Sequence, residues 1–160
     1  MAGEKRMQAI VFDRKTACSL TPAQDFAFIS LTTPNRNYWN TINNVGWKDF
    51  LQLAFHDIVD PVNNDLLYID PNTLEIPELV LFNEIMAEQL YNFIMKNKPS
   101  KFVIHCDAGI SRSTAVGAHL RDFHQYDVEF KGKVPDDRNK NILVYNLLRR
   151  HYMKGYNETY

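Results

Sequence analysis

Between Lys101 and Gln125 the chain switches from an apolar run to a helical pattern across one short turn, and no other feature constrains the fold as tightly. KFVIH (Lys101–His105) reads as a buried strand, and Ser111 to about Gln125 reads as a helix. Cys106-Asp107-Ala108-Gly109-Ile110 must turn the chain from one to the other. Gly109 permits a backbone conformation there that other residues resist.

The rest of the chain fits the same alternation. Gln8–Phe12, Phe26–Leu31 and Phe50–Phe55 are short apolar runs bounded by polar or turn residues, such as Thr33-Pro34-Asn35, and read as strands. Arg36–Lys48, with Tyr38, Trp39 and Trp47, reads as an irregular connection that packs aromatics. His56–Thr73 carries Asp57, Asp60, Asp65, Asp70, Pro61 and Pro71, a composition that opposes regular structure. A loop of that length in a small domain is often functional. Leu81, Ile85, Met86, Leu90, Phe93 and Ile94 put a helix over about Leu74 to Lys98, with Pro77 in its first turn and Pro99 after its end. A last helix is expected from Asn139 to about Met153. Asp136-Asp137-Arg138-Asn139 would lead into it as a capping segment, and Arg149-Arg150-His151 would place favourable charge at its end.

At 160 residues and 45% hydrophobic content, one domain spanning residues 1–160 is expected. Strands alternating with helices predict a three-layer α/β architecture, with a central, mainly parallel sheet of about four strands flanked by helices. A net charge of −1 gives no global attraction to nucleic acid or to an anionic membrane, so affinity for a phosphorylated ligand must be local. The N-terminus MAGEKRMQAIVFDRK lacks an apolar core for a signal peptide, and no stretch approaches the ~20 apolar residues of a membrane span. With only Cys18 and Cys106, the expectation is a soluble cytoplasmic protein with both thiols free. A Cys18–Cys106 disulfide would require folding to bring them together.

The turn itself carries the chemistry. Successive amides of a tight strand-to-helix turn face inward, and the helix N-terminus adds partial positive charge; together they form an anion site. Such surroundings stabilise a thiolate at Cys106. Arg112 follows after five residues, and its planar fork can take two oxygens of one phosphoryl group. Nucleophile and oxyanion clamp then come from a single turn. The bland alternative is a buried, inert Cys106. The accompanying histidine, glycine, arginine and serine weigh against it. Cys18 has no such company and reads as structural or incidental.

HCDAGISRS (His105–Ser113) resembles the His-Cys-x5-Arg-Ser signature of the protein tyrosine phosphatase superfamily, most of all its dual-specificity and compact atypical bacterial or viral members. Away from the signature the resemblance is loose. It implies a dual-specificity phosphatase-like fold and a cysteinyl-phosphate mechanism with no metal and no cofactor. By that resemblance Cys106 is the nucleophile and Arg112 the phosphate-binding arginine. Ser113 assists the thiolate as leaving group, and His105 supports it by hydrogen bonding. Asp107, Ala108, Gly109, Ile110 and Ser111 complete the phosphate-binding loop.

The mechanism also needs a proton donor for the leaving oxygen, usually an aspartic acid on a separate loop. Asp57, directly after the strand-like LQLAFH, has the context that the family uses, with Asp60, Asp65 and Asp70 as rivals. His56 beside Asp57 lacks the further ligands of a metal site. A phosphorylated protein side chain is the expected substrate. A nucleotide, an RNA 5′ end or another small phosphorylated molecule stays open. Phosphoinositide-selective relatives bring lysines where this chain has Asp107 and Ile110. RNA-triphosphatase relatives carry other residues at Ala108 and Ser111. Outside that class stand a phosphate-binding pseudophosphatase and a sulfur- or arsenate-handling enzyme, the latter needing Cys18 as resolving thiol.

Overall fold

Period-two alternation in the apolar segments builds the sheet and assigns each side chain to a face. The structure, a computed structural model, describes residues 7–34, 42–59 and 79–158. It contains strands β1 (Gln8–Phe12), β2 (Phe26–Thr32), β3 (Asp49–Ala54), β4 (Lys101–His105) and β5 (Asp127–Lys131). The helices are α1 (Arg14–Cys18), α2 (Glu84–Asn97), α3 (Arg112–His124) and α4 (Ile142–Glu158). All strand pairs are parallel, in the order β3-β2-β4-β1-β5.

On one face Ala9, Val11, Ala27, Ile29, Phe102 and Ile104 pack against α2, α3 and α4 through Leu90, Ile94, Val116, Leu120 and Leu148. The alternate residues Phe12, Phe28 and Val103 form a second cluster with Ala17 of α1 and with Trp47. The result is a three-layer α/β fold. Chain leaving β1 enters α1 on one face, and chain leaving the adjacent β4 enters α3 on the other. Neighbouring connections that diverge in this way open a crevice at the carboxyl ends of their strands.

Among the described residues five strands stand where about four were expected. The additional one is β5, DVEFK, an edge strand whose two apolar residues, Val128 and Phe130, are only partly buried. So few apolar positions among charges leave little for a pattern to register. The helix expected from Leu74 begins only at Glu84, because Asn83 caps it by accepting from Met86 N at 3.0 Å. Val80 is engaged instead with His56, and residues 60–78 lie outside the described residues, as do Tyr38 and Trp39.

The last helix is also displaced. Asn141 caps it through Val144 N at 3.1 Å. The expected capping segment is otherwise occupied: Asp136 pairs with Arg138, and Asp137 with Arg121 and Lys140. Because α4 continues to Glu158, Arg149-Arg150-His151 sits mid-helix, where Arg150 meets Glu84 at 3.2 Å and His151 packs on Tyr91. No described helix is long and apolar enough to cross a membrane.

Three histidines are buried in this frame. His105 lies between Ser30 Oγ at 2.7 Å and the Cys106 carbonyl at 3.0 Å. His119 and His124 face each other, Nε2 to Nε2, at 3.0 Å, and Lys98 Nζ lies 3.1 Å from His124 Nδ1. Burial holds all three neutral, pushing His105 down to about 4, His119 to about 3 and His124 to about 4; the neighbouring Lys98 charge adds to the effect on His124. The unfolded chain protonates them near their ordinary 6.5, the folded chain only near 3 to 4. Their stability contribution is therefore complete above about pH 6.5 and is lost as pH falls toward 4, at up to ~1.4 kcal/mol per pH unit for each histidine. The urea midpoint is expected to hold between pH 7 and 8 and to drop steeply between 6.5 and 4.5. Equal midpoints at pH 7 and 5 would contradict neutral burial.

Candidate anion-binding site

The turn after β4 is tied down by its carbonyls. His105 Nδ1 lies 3.0 Å from the Cys106 carbonyl, and Arg14 N donates to Asp107 O at 3.1 Å. Lys133 N donates to Ala108 O at 3.2 Å, and Asn141 N to Ser111 O at 2.9 Å. In a trans peptide the carbonyl and the following N–H point in opposite directions. The amides of Asp107, Ala108, Gly109 and Arg112 accordingly point away from that framework, into the turn.

Gly109 makes the turn feasible. Its φ is +67°, and a Cβ would lie 2.8 Å from Gly132 Cα and 2.9 Å from the Phe12 carbonyl oxygen. Gly132 is the reciprocal requirement, since a side chain there would run into the Gly109 backbone. Ser111, at the N-cap position of α3, makes no capping bond with its side chain. Asp13, Asn83 and Asn141 do cap α1, α2 and α4. The N-terminal amides of α3 are thus left facing the turn.

Arg112 is 4% exposed, so its five N–H donors must be accounted for. Nη1 donates to Phe55 O at 2.7 Å and to Thr33 Oγ1 at 3.1 Å, and Nη2 donates to Asp107 Oδ2 at 3.0 Å. Nε is buried and meets no partner among the described residues. Two N–H groups remain, on Nε and Nη2, which share one edge of the fork. That edge suits two oxygens of one tetrahedral anion.

Cys106, 3% exposed, lies beside it on the wall of a cleft of about 540 Å³ that Arg112, Thr33 and Asp57 also line. Ser113 Oγ is 3.0 Å from Cys106 Sγ and can donate to a thiolate. The neutral His105 places its bond on the Cys106 carbonyl rather than on the sulfur. Its effect on Cys106 is therefore to fix the backbone, with Ser30 holding the far ring nitrogen.

Asp57 reaches the same cleft from the end of β3. Its Oδ1 accepts from Ser111 Oγ and from Asn141 Nδ2, both at 2.7 Å. Asn141 is fully buried and also donates to Ile58 O at 3.2 Å. It joins the acid loop, the anion loop and α4, a role that its place before an apolar run signals only as a helix cap. Beside Asp57, His56 N donates to Val80 O at 2.7 Å and His56 Nδ1 accepts from Val80 N at 3.0 Å, pinning the chain that returns to α2. The rival acids Asp60, Asp65 and Asp70 lie outside the described residues. Cys18, on α1, forms no disulfide, and burial holds it as a thiol against the opposing pull of Arg14. Among the described residues no three His, Cys, Asp or Glu side chains converge as metal ligands.

No family model matches the chain, and neither a curated protein nor a solved structure matches it.

Gly109→Ala is expected to cost about 1–3 kcal/mol from backbone strain alone, with the contacts at Phe12 and Gly132 added. It should also abolish binding of inorganic phosphate. Gly155→Ala, inside α4 and with a Cβ that meets only Tyr91 Oη at 3.7 Å, is the control that should leave phosphate binding unchanged and raise stability by roughly 0.5–1 kcal/mol. Urea unfolding and isothermal titration calorimetry measure the two effects. Phosphate binding by a folded Gly109→Ala protein at parental affinity would refute the assignment of the turn.

Proposed function

We propose that the protein is a cysteine-dependent phosphatase acting on phosphate monoesters. The observation that carries this is the pair of unspent Arg112 donors, on the edge formed by Nε and Nη2, beside Cys106 in one cleft. Two parallel donors on a buried cation suit a phosphoryl group or a carboxylate, and a thiol beside them, a nucleophile, favours the electrophilic phosphoryl group.

The reaction has two displacements. Cys106 Sγ attacks phosphorus, the bond from phosphorus to the ester oxygen breaks, and Asp57 protonates the departing oxygen. Water then attacks the phosphocysteine and gives a proton to Asp57, and the sulfur leaves as a thiolate that the Ser113 hydroxyl receives. Arg112 and the inward amides meet the charge on the equatorial oxygens in both steps. Both bonds to Asp57 land on Oδ1, so Oδ2 is the oxygen to carry the transferred proton. No metal or cofactor enters these steps.

The substrate we favour is a phosphorylated protein side chain, phosphotyrosine and/or phosphoserine or phosphothreonine. Ile58, Leu79 and Ile110 give the cleft apolar walls beside its polar floor. A nucleotide, an RNA 5′ end or another small phosphorylated molecule is the alternative within the class. A phosphate-binding pseudophosphatase is the second reading, favoured by the two donors that already hold Asp57 Oδ1. Arsenate reduction is disfavoured, because Cys18, the remaining cysteine, lies on α1 and does not line the cleft that holds Cys106. With neither Cys18 nor Cys106 in a disulfide, the chain suits a reducing compartment such as the cytoplasm.

With p-nitrophenyl phosphate, Cys106→Ser should abolish turnover while retaining phosphate binding, and Arg112→Lys should damage both. Asp57→Asn should slow alkyl phosphates by about 100-fold or more while sparing aryl esters with good leaving groups. Steady-state kinetics over a series of leaving groups reads this out. Hydrolysis that survives Cys106→Ser would end the proposal, and binding without hydrolysis in the parent would select the pseudophosphatase.

A further inference from the structure

Arg112 has four side-chain torsions, and nothing in its sequence position dictates which edge of the guanidinium meets the anion. The fold supplies that choice through two side chains to which the sequence alone assigns no role of their own. Thr33, just beyond β2, accepts from Arg112 Nη1 at 3.1 Å and donates its own hydroxyl hydrogen to Asp107 Oδ2 at 3.0 Å. The same Oδ2 accepts from Arg112 Nη2 at 3.0 Å. An ionised carboxylate only accepts, so the hydroxyl has one direction available. A closed circuit, Nη1 to Thr33 to Asp107 to Nη2, therefore covers the outer edge of the fork. Phe55 O takes the remaining Nη1 hydrogen at 2.7 Å.

We propose that Thr33 and Asp107 are a positioning pair that turns the edge formed by Nε and Nη2 of Arg112 toward the bound phosphoryl group. The proposal rests on the phosphatase reading for its kinetic readout, whereas its spectroscopic readout needs anion binding alone. An ion pair with a half-exposed carboxylate often contributes little. Here the cation side chain is 5% exposed, and a hydroxyl fixes both partners, which separates the circuit from a surface pair. Arg14 Nε, 3.9 Å from Asp107 Oδ1, gives the carboxylate a second cation from α1. Asp107 thus acts through Arg112 rather than on substrate.

The test compares variants that keep the acceptor with variants that delete it. Asp107→Asn retains an oxygen that can accept from both Nη2 and Thr33, and Asp107→Ala does not; Thr33→Ser retains the hydroxyl, and Thr33→Val removes it at equal shape. Misplacing a catalytic group by about 1 Å costs about 100-fold. Asp107→Ala and Thr33→Val should each lower kcat on p-nitrophenyl phosphate by about that factor, with Asp107→Asn and Thr33→Ser each losing clearly less than its deletion counterpart. In nitrogen-15 spectra the Arg112 Nε–H resonance should shift as inorganic phosphate is titrated into the full chain. That shift should vanish in Asp107→Ala and Thr33→Val. Melting temperatures identify folded variants, and if Asp107→Ala does not fold, Thr33→Val carries the comparison.

Parental kcat and an undiminished Nε–H shift in the deletion variants would overturn the proposal. So would equal damage in Asp107→Asn and Asp107→Ala, which would assign the effect to charge rather than to acceptor geometry. A parent that shows the phosphate-dependent shift but no hydrolysis would remove the phosphatase reading and leave the positioning pair supported.

Discussion

A guanidinium that is 4% exposed imposes an accounting on everything around it. Leaving a buried charge unpaired costs several kcal/mol, so each surrounding segment must contribute an acceptor or be replaced by a ligand. Three segments do contribute: the end of β2 through Thr33, the end of β3 through Phe55 O, and the turn after β4 through Asp107. The parallel order β3-β2-β4 brings those three carboxyl ends side by side. The sheet topology is in this sense a precondition of the site. An antiparallel neighbour would present its amino end there instead.

The same topology explains why the turn is rigid without regular secondary structure of its own. Its carbonyls are held by Arg14 from α1, by Lys133 beyond β5 and by Asn141 ahead of α4. These partners come from both layers of helices and from the edge strand. Gly132 allows the chain beyond β5 to approach Gly109 closely enough for the Lys133 bond. The edge strand DVEFK, weakly apolar as it is, thus places a backbone donor against the loop.

That division also marks what was legible in the sequence. The strand KFVIH, the turn and the helix after it were readable because apolar periodicity, Gly109 and the Cys106–Arg112 spacing all lie within one contiguous stretch. β1 and its boundaries were readable for the same reason. β5 was not, because its two apolar residues are diluted by charges that an edge position tolerates. Thr33 and Asn141 were not either. Each acts through a contact more than 70 residues away, Thr33 on Asp107 and Arg112, Asn141 on Asp57, and no local pattern distinguishes them from a turn residue and a helix cap. The start of α2 was misplaced because the apolar spacing extends through Leu81, whereas His56 draws Val80 into an extended pairing before Asn83 can begin the helix.

Asn141 joins these levels. Its Oδ1 caps α4, its backbone N–H holds Ser111 O, and its Nδ2 holds Asp57 Oδ1 and Ile58 O. Ser111 Oγ meets the same Asp57 oxygen. The carboxyl group and the turn that carries Cys106 and Arg112 are therefore linked twice, directly through Ser111 Oγ and through one buried amide that holds both. In the reaction we propose, Asp57 must reach an oxygen about 3 Å away, and there a shared rigid anchor matters more than the strength of any one bond, because orientation is what converts proximity into rate. The fully buried amide can supply it, since every one of its polar groups is engaged and no rotamer change is possible without leaving a buried donor or acceptor unpaired.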